Sequence, residues 1–352
     1  ELIILLRYLF IKMGCFKSQP KPEEDINKRM QNLLYQGGSK KDEKSRLSGG
    51  MYVQTYDMDP FINYELLKLV GEGSFAKVYR VMNKENKIIR AMKIISSDKF
   101  KIMGKTEDFI NEINLVKGLD HPNINKIYEV YNYSNNIHVV TELCTGGELF
   151  DYLMTNGRQN EKICAGILKQ LISAVNFYQG YGIIHGDIKA ENILIESKED
   201  LKNNKINIKL IDFGLASKLG NMKDGKRKSI TNSLGPVMGT ISYLPPEAFS
   251  GDSSMKSDMW AIGCLMYFIL QGKLPFRADT NDELIKKIKN CEYELMSNIS
   301  FDAKDLLQKL LEKDRSKRIS AKEALTHRFI TQNSIAQSRS SLGKDKIQEI
   351  MS

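Results

Sequence analysis

An α+β chain of two lobes, a small strand-rich one followed by a larger helical one, is the fold class this sequence predicts. Between Tyr64 and Ile95 short segments break and alternate like strands, whereas from Glu161 onward the apolar spacing is mostly helical. The run Met259 to Leu270 is almost unbroken in its apolar character and holds the one tryptophan, Trp260, so it reads as a helix buried on all sides. A length of 352 residues leaves room for two such units.

In chain order, residues 1–60 read as a flexible extension, polar from position 14 and broken by Pro20, Pro22, Gly37, Gly38, Gly49 and Gly50. Order is expected from about Phe61. Strands are predicted at 64–70, 77–82 and 87–95, then a helix over 106–119. Two further strand-like runs, 192–195 and 208–211, interrupt the helical half. The tail 331–352 is rich in Ser, Gln and Lys and is expected to be loosely held.

Composition narrows the class. Hydrophobic residues at 41% and charged residues at 27% fit a globular protein. The net charge of +9 suits an anionic partner, whether membrane surface, nucleotide or acidic protein, and selects none of them. Five scattered cysteines without a C-x-x-C pair argue against a disulfide framework or a cysteine zinc site and for a reducing, cytoplasmic setting. No stretch reaches the roughly 20 apolar residues of a membrane-spanning helix.

Three clusters carry chemistry. Gly71-Glu72-Gly73-Ser74-Phe75-Ala76-Lys77-Val78 lies between two strand-like runs, where glycines let backbone N–H groups approach phosphate oxygens. An ordinary hairpin turn uses glycines equally well. In Ala91-Met92-Lys93-Ile94-Ile95 a lysine sits inside an apolar strand and needs a counter-charge if buried. Glu112, beside the stripe Phe109, Ile113 and Val116, offers one; a snorkelling Lys93 and a solvated Glu112 are the plainer readings. Finally His185-Gly186-Asp187-Ile188-Lys189-Ala190-Glu191-Asn192 and Leu210-Ile211-Asp212-Phe213-Gly214 place Asp187, Asn192 and Asp212 on strand-flanked loops. Each alone is more often a turn or cap residue, but together they offer oxygen ligands for magnesium, Asn192 and Asp212, and leave Asp187 to accept a proton.

In order and spacing these motifs resemble the protein kinase family over residues 64–330. Further matches are Thr141-Glu142-Leu143-Cys144, Gly146-Gly147-Glu148-Leu149-Phe150-Asp151, Pro245-Pro246-Glu247 and Ser257-Asp258-Met259-Trp260. Asp187-Ile188-Lys189 looks like the serine/threonine class. The stretches 119–124 and 146–151 look like the calcium/calmodulin-type group, calcium-dependent protein kinases especially. The resemblance implies the bilobal kinase fold, with an N-lobe at 64–141 and a C-lobe at 145–330. It implies ATP and Mg2+ as cofactors and phosphorylation of Ser or Thr on protein substrates. Asp187 and Lys189 would be catalytic, and Asn192 and Asp212 would hold metal. Nucleotide would be bound by Val70, Gly71, Gly73, Phe75, Ala76, Val78, Ala91, Lys93, Glu112, Thr141, Glu142, Cys144 and Glu148. Glu148 and Glu191 would favour basic residues near the target hydroxyl, and no nucleic acid is expected as partner.

Departures from the family qualify this picture. Ala76 replaces the third glycine, Pro245 an alanine, and Gly186 an arginine that in the family pairs with a phosphate on the activation segment. That segment carries a basic insert, with Lys218, Lys223, Lys226, Arg227 and Lys228 against Asp224. The rival function is therefore a pseudokinase or nucleotide-binding scaffold. Glu247 is expected to pair with Arg318, and all four histidines to serve structure. Met13-Gly14-Cys15-Phe16-Lys17-Ser18 fits an N-myristoylation pattern, so Gly14 and Cys15 would anchor the protein at membranes if Met13 begins it. Glu1–Lys12 then reads as upstream translated sequence or a gene-model error. No D-x-[DN]-x-[DN]-G calcium loop occurs, so either the chain continues beyond Ser352 or control comes from elsewhere.

Overall fold

The computed structural model describes residues 54–72, 76–96, 113, 116, 118–202, 205–213, 216–218, 241–295 and 297–333. They form two units. The first runs to Gly118 and resumes over Lys126–Leu143; the second comprises Leu119–Asn125 and the chain from Cys144.

The first unit is a six-stranded sheet of β1 (Gln54–Tyr56), β2 (Tyr64–Glu72), β3 (Ala76–Asn83), β4 (Ile89–Ser96), β5 (Ile127–Tyr133) and β6 (Asn136–Thr141), in the order β1-β5-β6-β4-β3-β2. All ladders are antiparallel except the parallel pairing of β1 with β5. Successive side chains of β4 serve opposite faces, as strand pleating requires. Met92 joins Tyr64, Val81, Tyr131 and Val140 in one buried cluster, and Ile95 joins Ile113, Val130, Ile137 and Val139 in another.

The described residues start at Gln54, ahead of Phe61, and the stretch 54–60 within the expected extension holds β1 and the start of a short turn. Its polar look conceals apolar anchors: the Tyr56 ring stacks on Tyr131 at 5.0 Å, and Met58 and Phe61 pack on the same cluster. Asp59 caps the short turn Pro60–Ile62 by accepting from the Phe61 N–H at 2.8 Å. Lys87, expected to open a strand, has a φ of 61° in a turn where the Asn83 side chain accepts from Glu85 and Asn86 N–H groups. The β5–β6 hairpin was not among the expected strands; Ser134 and Asn135, with φ of 49° and 61°, supply its two-residue turn. Of the helix expected over 106–119, Ile113 and Val116 are helical and buried, while Leu119 lies beyond it.

The second unit contains β7 (Gly147–Glu148), α1 (Leu149–Asn156), α2 (Glu161–Gln179), β8 (Ile183–Ile184), β9 (Ile193–Ile195) and α3 (Lys198–Lys202). It continues with β10 (Ile208–Leu210), β11 (Ser217–Lys218), α4 (Met255–Gln271), α5 (Asn281–Asn290), α6 (Phe301–Leu310) and α7 (Ala321–Leu325). Asn160 caps α2, its side chain accepting from Ile163 N–H at 2.9 Å, and the stripe Cys164, Ile167, Leu168, Leu171, Val175 and Tyr178 turns inward. The central helix is α4, buried at every residue from Ser257 to Leu270 as its apolar run predicts. Gly263 lets it approach the end of α6, since a Cβ there would lie 2.8 Å from Leu311 Cδ2. Beside α4, Arg318 is 1% exposed and bonds Glu247 in a fork, Nη1 to Oε1 at 2.7 Å and Nη2 to Oε2 at 3.0 Å, with its guanidinium over the Trp260 ring. Among the described residues no helix is long and apolar enough to cross a membrane.

Candidate active site

In the second unit the loop after β8 starts at His185, whose ring is fully buried. Its Nδ1 accepts from the Asp187 N–H at 3.2 Å and its Nε2 lies 3.2 Å from Ile211 O. Burial lowers the His185 pKa, which keeps the ring neutral, one nitrogen accepting and the other donating, as both contacts require. The loop backbone is held from below by Asp258, 1% exposed in the first turn of α4. Its Oδ2 accepts from His185 N–H at 3.0 Å and its Oδ1 from Gly186 N–H at 2.9 Å. Gly186 takes a φ of 76°, which explains in backbone terms why a residue without Cβ suits the position.

Asp187 follows. Its Oδ2 accepts from Lys189 Nζ at 2.7 Å and from Asn192 Nδ2 at 2.8 Å. Asn192 Nδ2 also donates to the Asp187 carbonyl at 2.8 Å. Both side-chain contacts fall on one oxygen, so Oδ1 is the atom left for a proton. Asn192, spending its amide N–H groups on Asp187, presents Oδ1 as its acceptor. The strand β10 is stitched to this loop where Ile211 N–H donates to Asn192 O at 2.9 Å. One residue on, Asp212 is exposed with a φ of 62°, whereas Phe213 is 2% exposed, its ring 4.5 Å from His185. The structure thus brings Asp187, Lys189, Asn192 and Asp212 onto two cross-bonded loops.

A carboxylate open to solvent and an amide oxygen are the hard donors magnesium takes when phosphate oxygens complete its shell. Among the described residues no group of three or more His, Cys, Asp or Glu could hold a metal.

In the first unit, direct cross-strand pairing assembles the nucleotide candidates on one face of the sheet. Gly71 pairs with Val78, Val78 with Lys93, Ala76 with Ile95, and Ala91 with Thr141. Opposed residues in a ladder point the same way, so Ala76, Val78, Ala91, Lys93 and Thr141 share that face. Val70 is 55% exposed, and a Cβ at Gly71 would meet open space. Glu142 N–H donates to Lys126 O at 3.0 Å. Cys144, a half-buried thiol, and Glu148, just ahead of α1, belong to the second unit. Gly73, Phe75, Glu112, Gly14, Cys15 and the basic insert from Lys223 to Lys228 lie outside the described residues.

The sequence reading gave no role to Asp258, which it named only within a family match, nor to Tyr178, whose hydroxyl donates to Asp258 Oδ2 at 2.8 Å. Asp258 was visible as an acid opening an all-apolar run, which is a signal for a charge forced inside. Tyr178 looked like one more apolar position of α2, and nothing local marks its hydroxyl. The other histidines bond within the scaffold: His121 with Ser173 Oγ at 3.0 Å, His327 with Asp305 at 2.9 Å, and His138 edge-on to Phe61.

Comparison with known proteins agrees with the geometry. Residues 64–330 match the family model described as protein kinase domain. The chain is 38% identical over 272 residues to calcium-dependent protein kinase 5 of Plasmodium berghei (strain Anka), covering 76% of this chain and 45% of that protein. It is 34% identical over 290 residues to calcium-dependent protein kinase 4 of Plasmodium falciparum (isolate 3D7), covering 81% and 53%. With calcium-dependent protein kinase 3 of Plasmodium yoelii yoelii it shares 35% over 297 residues, covering 82% and 52%. The chain spans about half the length of these curated relatives.

Proposed function

The chain belongs to the protein kinase family, and from that premise we propose that it transfers the γ-phosphoryl group of magnesium-bound ATP to Ser or Thr hydroxyls of protein substrates. One observation carries the reading: Asp187 is clamped through a single carboxylate oxygen by Lys189 and Asn192, with its other oxygen spared. In that role Asp187 orients the substrate hydroxyl and accepts its proton at Oδ1. Lys189, fixed 2.7 Å from Asp187, contributes positive charge toward the transferred phosphoryl group. Lys93 would bind the α- and β-phosphates. Asp212 and Asn192 would hold magnesium, which when bound neutralises phosphate charge. Asp258 and His185 keep the loop in place so that positioning, the main demand of phosphoryl transfer, costs little at the moment of reaction.

Substrates with basic residues near the target hydroxyl are the expected class, supported by the carboxylates of Glu148 and Glu191. A cytoplasmic protein held at membranes through acylated Gly14 and Cys15 is supported by the motif at 13–18. Intact-mass analysis of the native amino terminus tests that anchor, and an unacylated chain starting upstream of Met13 rules it out.

The function is tested by phosphate transfer to an arrayed set of Ser/Thr peptides, with Asp187→Asn as control. The variant should lose at least about 100-fold in kcat, the scale of a positioned proton acceptor. Equal activity in the variant, or none in the wild type, would overturn the proposal, and indifference to basic residues would remove the substrate preference.

A further inference from the structure

The loop that carries Asp187 has an unusual weakness. Gly186, directly before it, has no side chain with which to anchor itself and sits at a φ of 76°. Glycine also has the most backbone freedom to lose, so this point of the loop depends on what fixes its N–H. That donor, with the His185 N–H, ends on the Asp258 carboxylate. The rotation of one buried carboxylate about its own bonds therefore bears on where Asp187 stands, beside the bonds that Asp187 makes to His185 and Asn192.

Helix α2 supplies the group that stops this rotation. Tyr178 is 0% exposed and lies in the last turn of α2. Its hydroxyl donates to Asp258 Oδ2 at 2.8 Å, on the same oxygen that holds the His185 N–H. Its ring meets the Phe213 ring edge-on at 5.8 Å and lies 6.4 Å from His185. One side chain thus touches the support of the Asp187 loop and the residue next to Asp212. Burial, then the Asp258 charge, pushes the phenol well above its ordinary pKa, so it stays protonated and serves as donor.

We propose that Tyr178 is a positioning residue for phosphoryl transfer: by bonding Asp258 Oδ2 while its ring backs Phe213, it holds the carboxylate that orients Gly186 and places Asp187. The proposal rests on the kinase reading above. Without the hydroxyl, Oδ2 keeps a single backbone donor in the protein interior, and a buried carboxylate short of a partner swings or recruits another. Ground-state nucleotide binding does not use this bond, so its loss falls on kcat and spares KM for ATP.

The test is Tyr178→Phe, which deletes the oxygen and keeps the ring. Per ATP-binding molecule, kcat should fall about 10-fold, the scale of one hydrogen bond to a charged group, with KM for ATP unchanged within about two-fold. Amide hydrogen exchange at His185 and Gly186 should quicken more than exchange in α2 itself. In an Asp258→Asn background the same substitution should cost much less, because the tyrosine acts through that acid. Unchanged kcat, or a fall in melting temperature and ATP-binding fraction with kcat per binding molecule preserved, would overturn the proposal. If the wild type transfers no phosphate, the kinase reading fails by itself. The exchange arm then still decides whether Tyr178 holds the loop, and unaltered exchange at 185–186 sinks the claim.

Discussion

The Asp187 loop of the second unit and strand β2 of the first are held in opposite ways. In the loop nearly every polar group has a side-chain partner inside the protein: Asp258 on two backbone N–H groups, His185 on two backbone atoms, Lys189 and Asn192 on Asp187. In β2, an edge strand, every residue after Tyr64 is exposed, and its ladder to β3 slips between Leu66 and Lys68 and again between Leu69 and Gly71. The first region has its geometry built in by the scaffold; the second is a backbone ribbon whose side chains are left to solvent or to a ligand. A protein that must position a proton acceptor needs the former, while a surface that closes on phosphates through N–H groups can use the latter.

The sharpest contrast should appear on removing a buried charge. Arg318→Ala leaves Glu247, whose side chain is 10% exposed, without its fork-like partner, and chemical denaturation should show a loss of about 3–5 kcal/mol. A cost below about 1 kcal/mol would mean that the scaffold beside α4 is softer than its bonds imply.

Acid offers an intermediate probe. His121, His138 and His185 are all held below the ordinary histidine value, with burial as the leading cause. A histidine depressed in the folded state binds its proton more readily when unfolded. Its contribution is therefore intact above the unfolded value near 6.5 and is lost as pH falls through the folded value. Asp305, Asp314 and Glu323 are shifted down and stay ionised through this window. Denaturation midpoints should thus decline between about pH 7.5 and 5.5. Because His121 and His185 belong to the second unit and His138 to the first, a decline confined to probes in the first unit would break the comparison.

The smallest effect is expected in β2. Leu66 is 45% exposed, and Leu66→Ala should change stability by no more than about 0.5 kcal/mol in the same denaturation assay. A loss several times larger would show that the strand is packed where it looks bare.

Much of this was legible in the residues. The helix around Trp260 was readable because an unbroken apolar run has no face to show water, and the loops bearing Asp187 and Asp212 because polar residues so closely grouped between strands are hard to explain otherwise. The Arg318–Glu247 pair followed from the family pattern. Strand β1 was not legible: three apolar anchors in a polar tract carry no period, and their value appears only when Tyr131 is present to pack on. The turn at Lys87 was missed because Asn83 stops the strand through its side chain, a contact that alternation does not encode.

By itself the sequence determined the two kinds of unit, the family, and which residue types were available for phosphate, metal and proton, because these depend on local periodicity and on chemistry carried by single side chains. Tertiary structure alone decided that Asp258 would hold the backbone before Asp187 and that a tyrosine eighty residues earlier would hold Asp258. Such bonds join groups distant along the chain, and their strength comes from exclusion of water, a property of the packed interior that no segment possesses before it folds.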